Sequence, residues 1–239
     1  MDHDHSPAAI RERLDEGPRL SYLRDFVYGG IDGAVTTFAI VSGVVGAQLS
    51  ASIVLILGVA NLLADGFSMA ASNFSGTRAE HDERERVREM EHRHIRLYPD
   101  GEREEIRQIF ARKGFEGEEL DMIVERITSD DDLWVNTMIQ EEYGLPMEIR
   151  SPWVAAGSTM LAFVICGAVP LLPFFADSEN APAWSLAATL FVFFGIGSAK
   201  SRWSVIPWWR SGLETLSIGA VAAGIAYGVG VLLRGLAAA

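Results

Sequence analysis

A chain of 239 residues carrying 32 acids against 20 bases, a formal net charge of −12, is poorly suited to nucleic acid or an anionic lipid surface as a partner. Its single cysteine, Cys166, excludes an intrachain disulfide and implies no oxidising compartment. Charge is also unevenly spread: residues 26–75, 153–200 and 212–236 are almost free of it, whereas 77–150 holds 21 acids and 12 bases, and so most of the chain's negative excess.

Residues 1–24 are polar and lack the apolar core of a signal peptide, so they are expected to form a polar N-terminal tail. The leading Asp2-His3-Asp4-His5 offers weak metal ligands or is simply a disordered end. A bilayer core about 30 Å thick needs roughly 20 apolar residues in a helix. Residues 26–48 and 52–75 meet that length, and 153–175, about 183–199 and 212–233 follow, giving five spans.

Lys and Arg beside the spans set their orientation. Arg11, Arg13, Arg19 and Arg24 precede the first span, Arg78 and Arg84 follow the second, and Arg150 precedes the third. Lys200, Arg202 and Arg210 separate the fourth and fifth, while the remaining short connections, 48–51 and 176–182, carry no base. The N-terminus and residues 77–150 are therefore expected in the cytoplasm and the C-terminus outside, with only Arg234 against the trend.

Within the acidic block, 77–97 reads as a helix continuing span two, ended by Pro99 and Gly101. Asp100 is expected to cap a second helix over 101–113, closed by Gly114, and a third runs over about 117–128. Asp130 caps a fourth through Tyr143, stopped by Gly144 and Pro146. Ile106, Ile109, Phe110, Leu120, Ile123, Val124, Ile127, Leu133, Trp134 and Met138 supply a modest core. The fold class is all-α: five transmembrane helices with a small cytoplasmic helical bundle inserted between spans two and three. The domains run as a tail (1–24), spans one and two (25–76), an acidic metal-binding bundle (77–150) and spans three to five (151–239).

An acid at membrane depth costs about 3 kcal/mol on insertion scales, so it usually faces a pathway or a partner. Asp25, Tyr28, Asp32 and Thr36 share one face of span one, and Asn61, Asp65 and Met69 one face of span two. Counted from the span ends at 1.5 Å per residue, Asp32 and Met69 both fall about 9–10 Å deep and are expected to be level. A carboxylate and a thioether at one depth suit a borderline transition-metal cation. Ordinary packing for Met69, a structural hydrogen bond for Asp32 and a bond to another span for Asp65 remain open. Gly29 and Gly33 form a G-x-x-x-G, which permits close helix approach or dimerisation.

In the acidic block Glu91 and His94, Glu102 and Glu105, and Met138 and Glu142 each share a helix face. Helical bundles hold iron and manganese through inward carboxylates and Glu-x-x-His pairs such as Glu91–His94. Acidic helices also produce these spacings by chance, so a solvated charged face is the competing explanation.

From Tyr22 to Gly235 the chain resembles the vacuolar iron transporter family. The resemblance rests on Leu23-Arg24-Asp25-Phe26-Val27-Tyr28-Gly29-Gly30-Ile31-Asp32-Gly33 and Asp65-Gly66-Phe67-Ser68-Met69. Trp134 with Met138, Glu142, Gly144 and Leu145, and Ser211-Gly212-Leu213-Glu214-Thr215, also fit. It implies a homodimer with its path between the subunits, exporting Fe²⁺, with Mn²⁺ and similar ions, from the cytosol in exchange for protons. By the resemblance Asp25, Asp32 and Met69 are pathway residues, with Asn61, Asp65 and Glu214 beside them. Glu91, Glu102, Glu105, Met138 and Glu142 are metal ligands in the cytoplasmic domain. The metals would be cargo, with no permanently bound cofactor, in the inner membrane of a prokaryote or the vacuolar membrane of a eukaryote.

Three positions depart from the family pattern: His94 stands in place of Glu, Ile139 in place of a second Met, and Asn61 where Glu can occur. Asp65, one turn on, can replace the carboxylate lost at Asn61. The alternatives are a membrane-anchored carboxylate-bundle ferroxidase, which needs paired Glu-x-x-His motifs, and a metal sensor whose spans only anchor it.

Overall fold

The computed structural model describes residues 4–15, 20–148 and 150–237; Asp2, His3 and Arg19, named above, lie outside them. Among the described residues the secondary structure is entirely helical. In chain order the helices are α1 (Pro7–Asp15), α2 (Leu23–Gly46), α3 (Ala51–Leu97), α4 (Pro99–Arg112), α5 (Gly117–Thr128) and α6 (Asp131–Glu141). They continue with α7 (Pro152–Ala168), α8 (Leu172–Phe175), α9 (Ala181–Lys200) and α10 (Trp208–Ala237). Five stretches are long and apolar enough to cross a membrane: α2, α3, Pro152–Phe175, α9 and Trp208–Gly235. The chain divides into two compact units, Ser21–Ser75 with Ser151–Ala239, and Met1–Leu20 with Gly76–Arg150.

In the span unit, α2 packs on α7, α9 and α10. Small residues make this approach possible. A Cβ added at Gly29 would lie 2.2 Å from the Thr159 carbonyl oxygen, and one at Gly33 2.3 Å from that of Phe163. The G-x-x-x-G is thus consumed inside the chain by α7 and is not a dimerisation face. Ala34, Phe38, Val41, Phe163, Leu171 and Phe193 fill the core. Large apolar side chains such as Phe67 and Phe191 stay uncovered, which in hydrocarbon has no hydrophobic cost.

The third span is not one continuous α-helix over 153–175. Pro170 and Pro173 each lack an amide N–H, and the chain passes through a 3₁₀ turn, Val169–Leu171, before the short α8. The fourth span reaches from Ala181 to Lys200, slightly beyond the expected 183–199.

In the other unit, the end of α3 with α4, α5 and α6 surrounds a separate core of Val87, Ile95, Ile106, Leu120, Val124, Ile127, Trp134, Val135, Met138 and Ile139. Leu133, expected inside, is exposed. The second helix of the block begins at Pro99, not after an Asp100 cap. Proline fits the first helical position, where its missing N–H costs nothing, and Asp100 falls inside the first turn. Gly114, at φ +95°, takes the left-handed conformation just past the end of α4. Asp130 does cap α6, its carboxylate accepting the Leu133 N–H at 3.0 Å. That helix stops at Glu141, short of Tyr143.

Candidate metal centre

Glu91 and His94 stand one turn apart on α3 because of their i,i+3 spacing, and the tight α3–α4 connection returns the chain so that Glu102 faces them. Both glutamates are buried, Glu91 at 1% and Glu102 at 6% exposure, while His94 keeps about a third of its side chain in solvent. The His94 Nδ1 atom lies 3.8 Å from Glu91 Oε1 and 3.5 Å from Glu102 Oε1. One ligand atom from each of the three residues falls within 4.8 Å of the others. These separations are long for hydrogen bonds. They match a shared cation, since metal–ligand bonds of about 2.0–2.2 Å hold neighbouring ligand atoms roughly 3–4 Å apart.

The polar bookkeeping points the same way. Tyr143 donates its hydroxyl to Glu91 Oε1 at 3.1 Å, but Glu91 Oε2 and Glu102 Oε2 are buried without a hydrogen-bond partner. Two unsatisfied carboxylate oxygens in a native interior are costly unless an ion or a proton satisfies them. Burial, with Glu91 and Glu105 alongside, pushes the Glu102 carboxyl up to about 8. Glu142 is raised by burial and by Glu105 and Glu91; unlike Glu91 and Glu102, the Glu105 and Glu142 residues are exposed, on the solvent side of the cluster. Tyr143 is likewise raised, by burial and by Glu91 and Glu142, and so remains a neutral donor. A cluster of like charges with open lone pairs can exchange protons for a divalent cation.

Met138 is fully buried and belongs to the apolar core of the unit, as does Ile139. Tyr143 was missed from the sequence; its adjacency to Glu142 was the available signal.

In the span unit a second polar set forms between α2 and α3. Asn61 Nδ2 donates to Thr36 Oγ1 at 3.2 Å, and Asn73 Nδ2 donates to Asp25 Oδ1 at 3.0 Å. These two bonds set the register of the antiparallel pair. Asp32, one turn from Thr36, is therefore level with Asp65, one turn from Asn61, and the two carboxylates interact electrostatically. Met69 lies a further turn along α3, level with Tyr28. The expected match of Asp32 with Met69 is off by one turn, because the span ends do not mark equal depths. Asp32, Asn61, Asp65 and Met69 are all half-buried.

Asp25 is nearly fully buried. Asn73, also missed from the sequence, ties it to α7 by donating to Thr159 Oγ1 at 2.7 Å and to the Ala155 carbonyl at 3.2 Å. An asparagine in the otherwise small and apolar run before Gly76 was the signal. Glu214 is exposed on α10 and pairs with Lys200 Nζ at 3.5 Å.

Residues 23–231 match the model of the VIT family. Similar proteins include vacuolar iron transporter 2 of Oryza sativa subsp. japonica, 32% identical over 210 residues that cover 87% of this chain and 85% of the relative. Vacuolar iron transporter 1 of Arabidopsis thaliana is 31% identical over 208 residues, 86% of this chain and 83% of the relative. The vacuolar iron transporter of Toxoplasma gondii (strain ATCC 50861 / VEG) is 32% identical over 225 residues, 89% and 74% respectively.

Proposed function

This chain belongs to the VIT family, and on that premise we propose that it is a secondary transporter exporting Fe²⁺, with Mn²⁺ and similar divalent ions, from the cytosol in exchange for protons. The observation that carries the proposal is the placing of two carboxylates, Asp32 and Asp65, at one level inside apolar helices of spanning length. Such groups are retained at membrane depth where they serve a path or a partner. A hydrated divalent ion crossing there exchanges water for the two carboxylates, with Asn61 and the Met69 thioether along the same stripe of α3.

In the proposal the protein is a homodimer. The stripe of Asp32, Asn61, Asp65 and Met69 is only half covered by its own chain, and a second copy across it would remove those groups from lipid. The acidic unit lies in the cytoplasm with the N-terminus, as the Lys and Arg bias supports. There Glu91, His94 and Glu102, with Glu105 and Glu142 on the solvent side, collect the ion, and Met138 packs the core behind them. The membrane is vacuolar in a eukaryote and the inner membrane in a prokaryote. Family membership sets the enzymatic alternative aside.

Uptake by proteoliposomes, with Fe²⁺, Mn²⁺, Co²⁺ and Zn²⁺ offered in turn under an imposed pH gradient, tests the proposal. Entry should accelerate when the lumen is acidic, and the lumen should alkalinise as metal enters. Metal entry that ignores the gradient would exclude proton exchange, and no entry of any ion would exclude transport.

A further inference from the structure

We propose that His94 sets the metal preference of the Glu91–His94–Glu102 centre, biasing it toward the imidazole-accepting ions of the later first row, Fe²⁺, Co²⁺, Ni²⁺ and Zn²⁺, over Mn²⁺, Mg²⁺ and Ca²⁺. The inference rests on the proposal that this centre collects the transported ion.

The ligand chemistry carries it. The other acids facing the site, Glu91, Glu102, Glu105 and Glu142, all present carboxylate oxygen, a donor that suits Mn²⁺, Mg²⁺ and Ca²⁺ well. His94 is the nitrogen donor of the cluster, and its Nδ1 sits at 3.5 and 3.8 Å from the two buried carboxylates, within reach of the same ion. Affinity for nitrogen donors rises along the series from Mn²⁺ to the later metals. One imidazole in an oxygen site therefore separates Fe²⁺ and Co²⁺ from Mn²⁺, where oxygens alone separate them little.

Placement adds to this. Glu91 Oε2 and Glu102 Oε2 are buried without partners, so an ion must shed water to satisfy them. Mg²⁺ dehydrates reluctantly, which disfavours it at such a site. His94, a third of it in solvent, is within reach of an ion that is still partly hydrated, as are the exposed Glu105 and Glu142. Its exposure also makes it replaceable without opening the core that Ile95 and Ile106 fill.

The test uses the full-length protein in detergent and titrates Co²⁺ and Mn²⁺ separately, with the Co²⁺ ligand-field spectrum recorded. The parent should bind Co²⁺ at least about tenfold more tightly than Mn²⁺, a difference of about 1.4 kcal/mol. His94→Glu should still bind both ions, bring the two affinities together and shift the Co²⁺ bands; His94→Gln, close in size, should do the same with weaker binding overall. An unchanged Co²⁺-to-Mn²⁺ ratio and spectrum in both variants overturns the assignment. Glu91→Gln with Glu102→Gln separates the two levels of the claim. Loss of tight binding in that variant, with a ratio indifferent to His94, keeps the collecting centre and removes the selectivity role. Tight binding that survives it removes both.

Discussion

Acidification from about pH 8 to about pH 6 should weaken divalent-ion binding at the cytoplasmic centre about fiftyfold. Glu102 is raised to about 8 by burial and by its neighbours Glu91 and Glu105. A cation takes the ionised carboxylate, so below pH 8 a proton must leave first and affinity falls by up to about tenfold per pH unit. Glu142, raised as well, adds in the same direction. For folding of the metal-free protein the sign is opposite. Native Glu102 holds its proton up to about 8, whereas the unfolded residue releases it near 4.5, so stability falls as pH rises through that window. Bound metal offsets the loss by taking the proton's place. Mn²⁺ calorimetry at three pH values, in buffers of different ionisation enthalpy, reads both the affinity and the protons released. Glu102→Gln, which cannot ionise, should bind weakly and lose this part of the pH dependence. Equal parental affinity at pH 6 and pH 8, with no proton released, would refute the coupling.

Gly33→Ala should lower thermal stability in detergent, since its Cβ would fall 2.3 Å from a backbone oxygen, an overpacking worth about 1–3 kcal/mol. Gly195→Ala, with nothing within 4 Å of its Cβ, should be neutral or slightly stabilising in the same melt. Asn73→Ala, which removes the side chain joining α2, α3 and α7, should cost about 1 kcal/mol by the same assay; an unchanged melting temperature would show that the clamp is redundant. In a Cys166→Ser background, single cysteines at Ser50 and Ser178 should react with an impermeant thiol reagent on intact cells and one at Ser129 should not. Labelling at 129 would reverse the orientation.

The spans were legible because apolar runs of helix-crossing length have few other uses, and the Asp130 cap because its side chain has one good local partner. Local chemistry misled at Pro99, where proline at the first helical position outcompetes an aspartate cap, and at Pro170, where a missing amide breaks an otherwise apolar run. Depth was misjudged for a different reason. The register of α2 against α3 is set by Asn61 with Thr36 and Asn73 with Asp25, pairings that no periodicity reveals. In the acidic unit helical spacing grouped Glu91 with His94. Only the fold brings Glu102 against them, and only burial separates these two glutamates from Glu105 and Glu142, which share the sequence pattern but lie exposed.

Transport across the bilayer through Asp32 is tested most directly by one comparison. Asp32→Asn keeps the shape of the side chain and removes the charge that offsets a divalent ion at that depth. Fe²⁺ entry would be measured for the parent and Asp32→Asn in proteoliposomes, with matched protein content and matched thermal melts. Flux through Asp32→Asn should be nearly abolished, while metal binding at the cytoplasmic centre remains as in the parent. Undiminished Fe²⁺ entry through folded Asp32→Asn would contradict the proposed pathway.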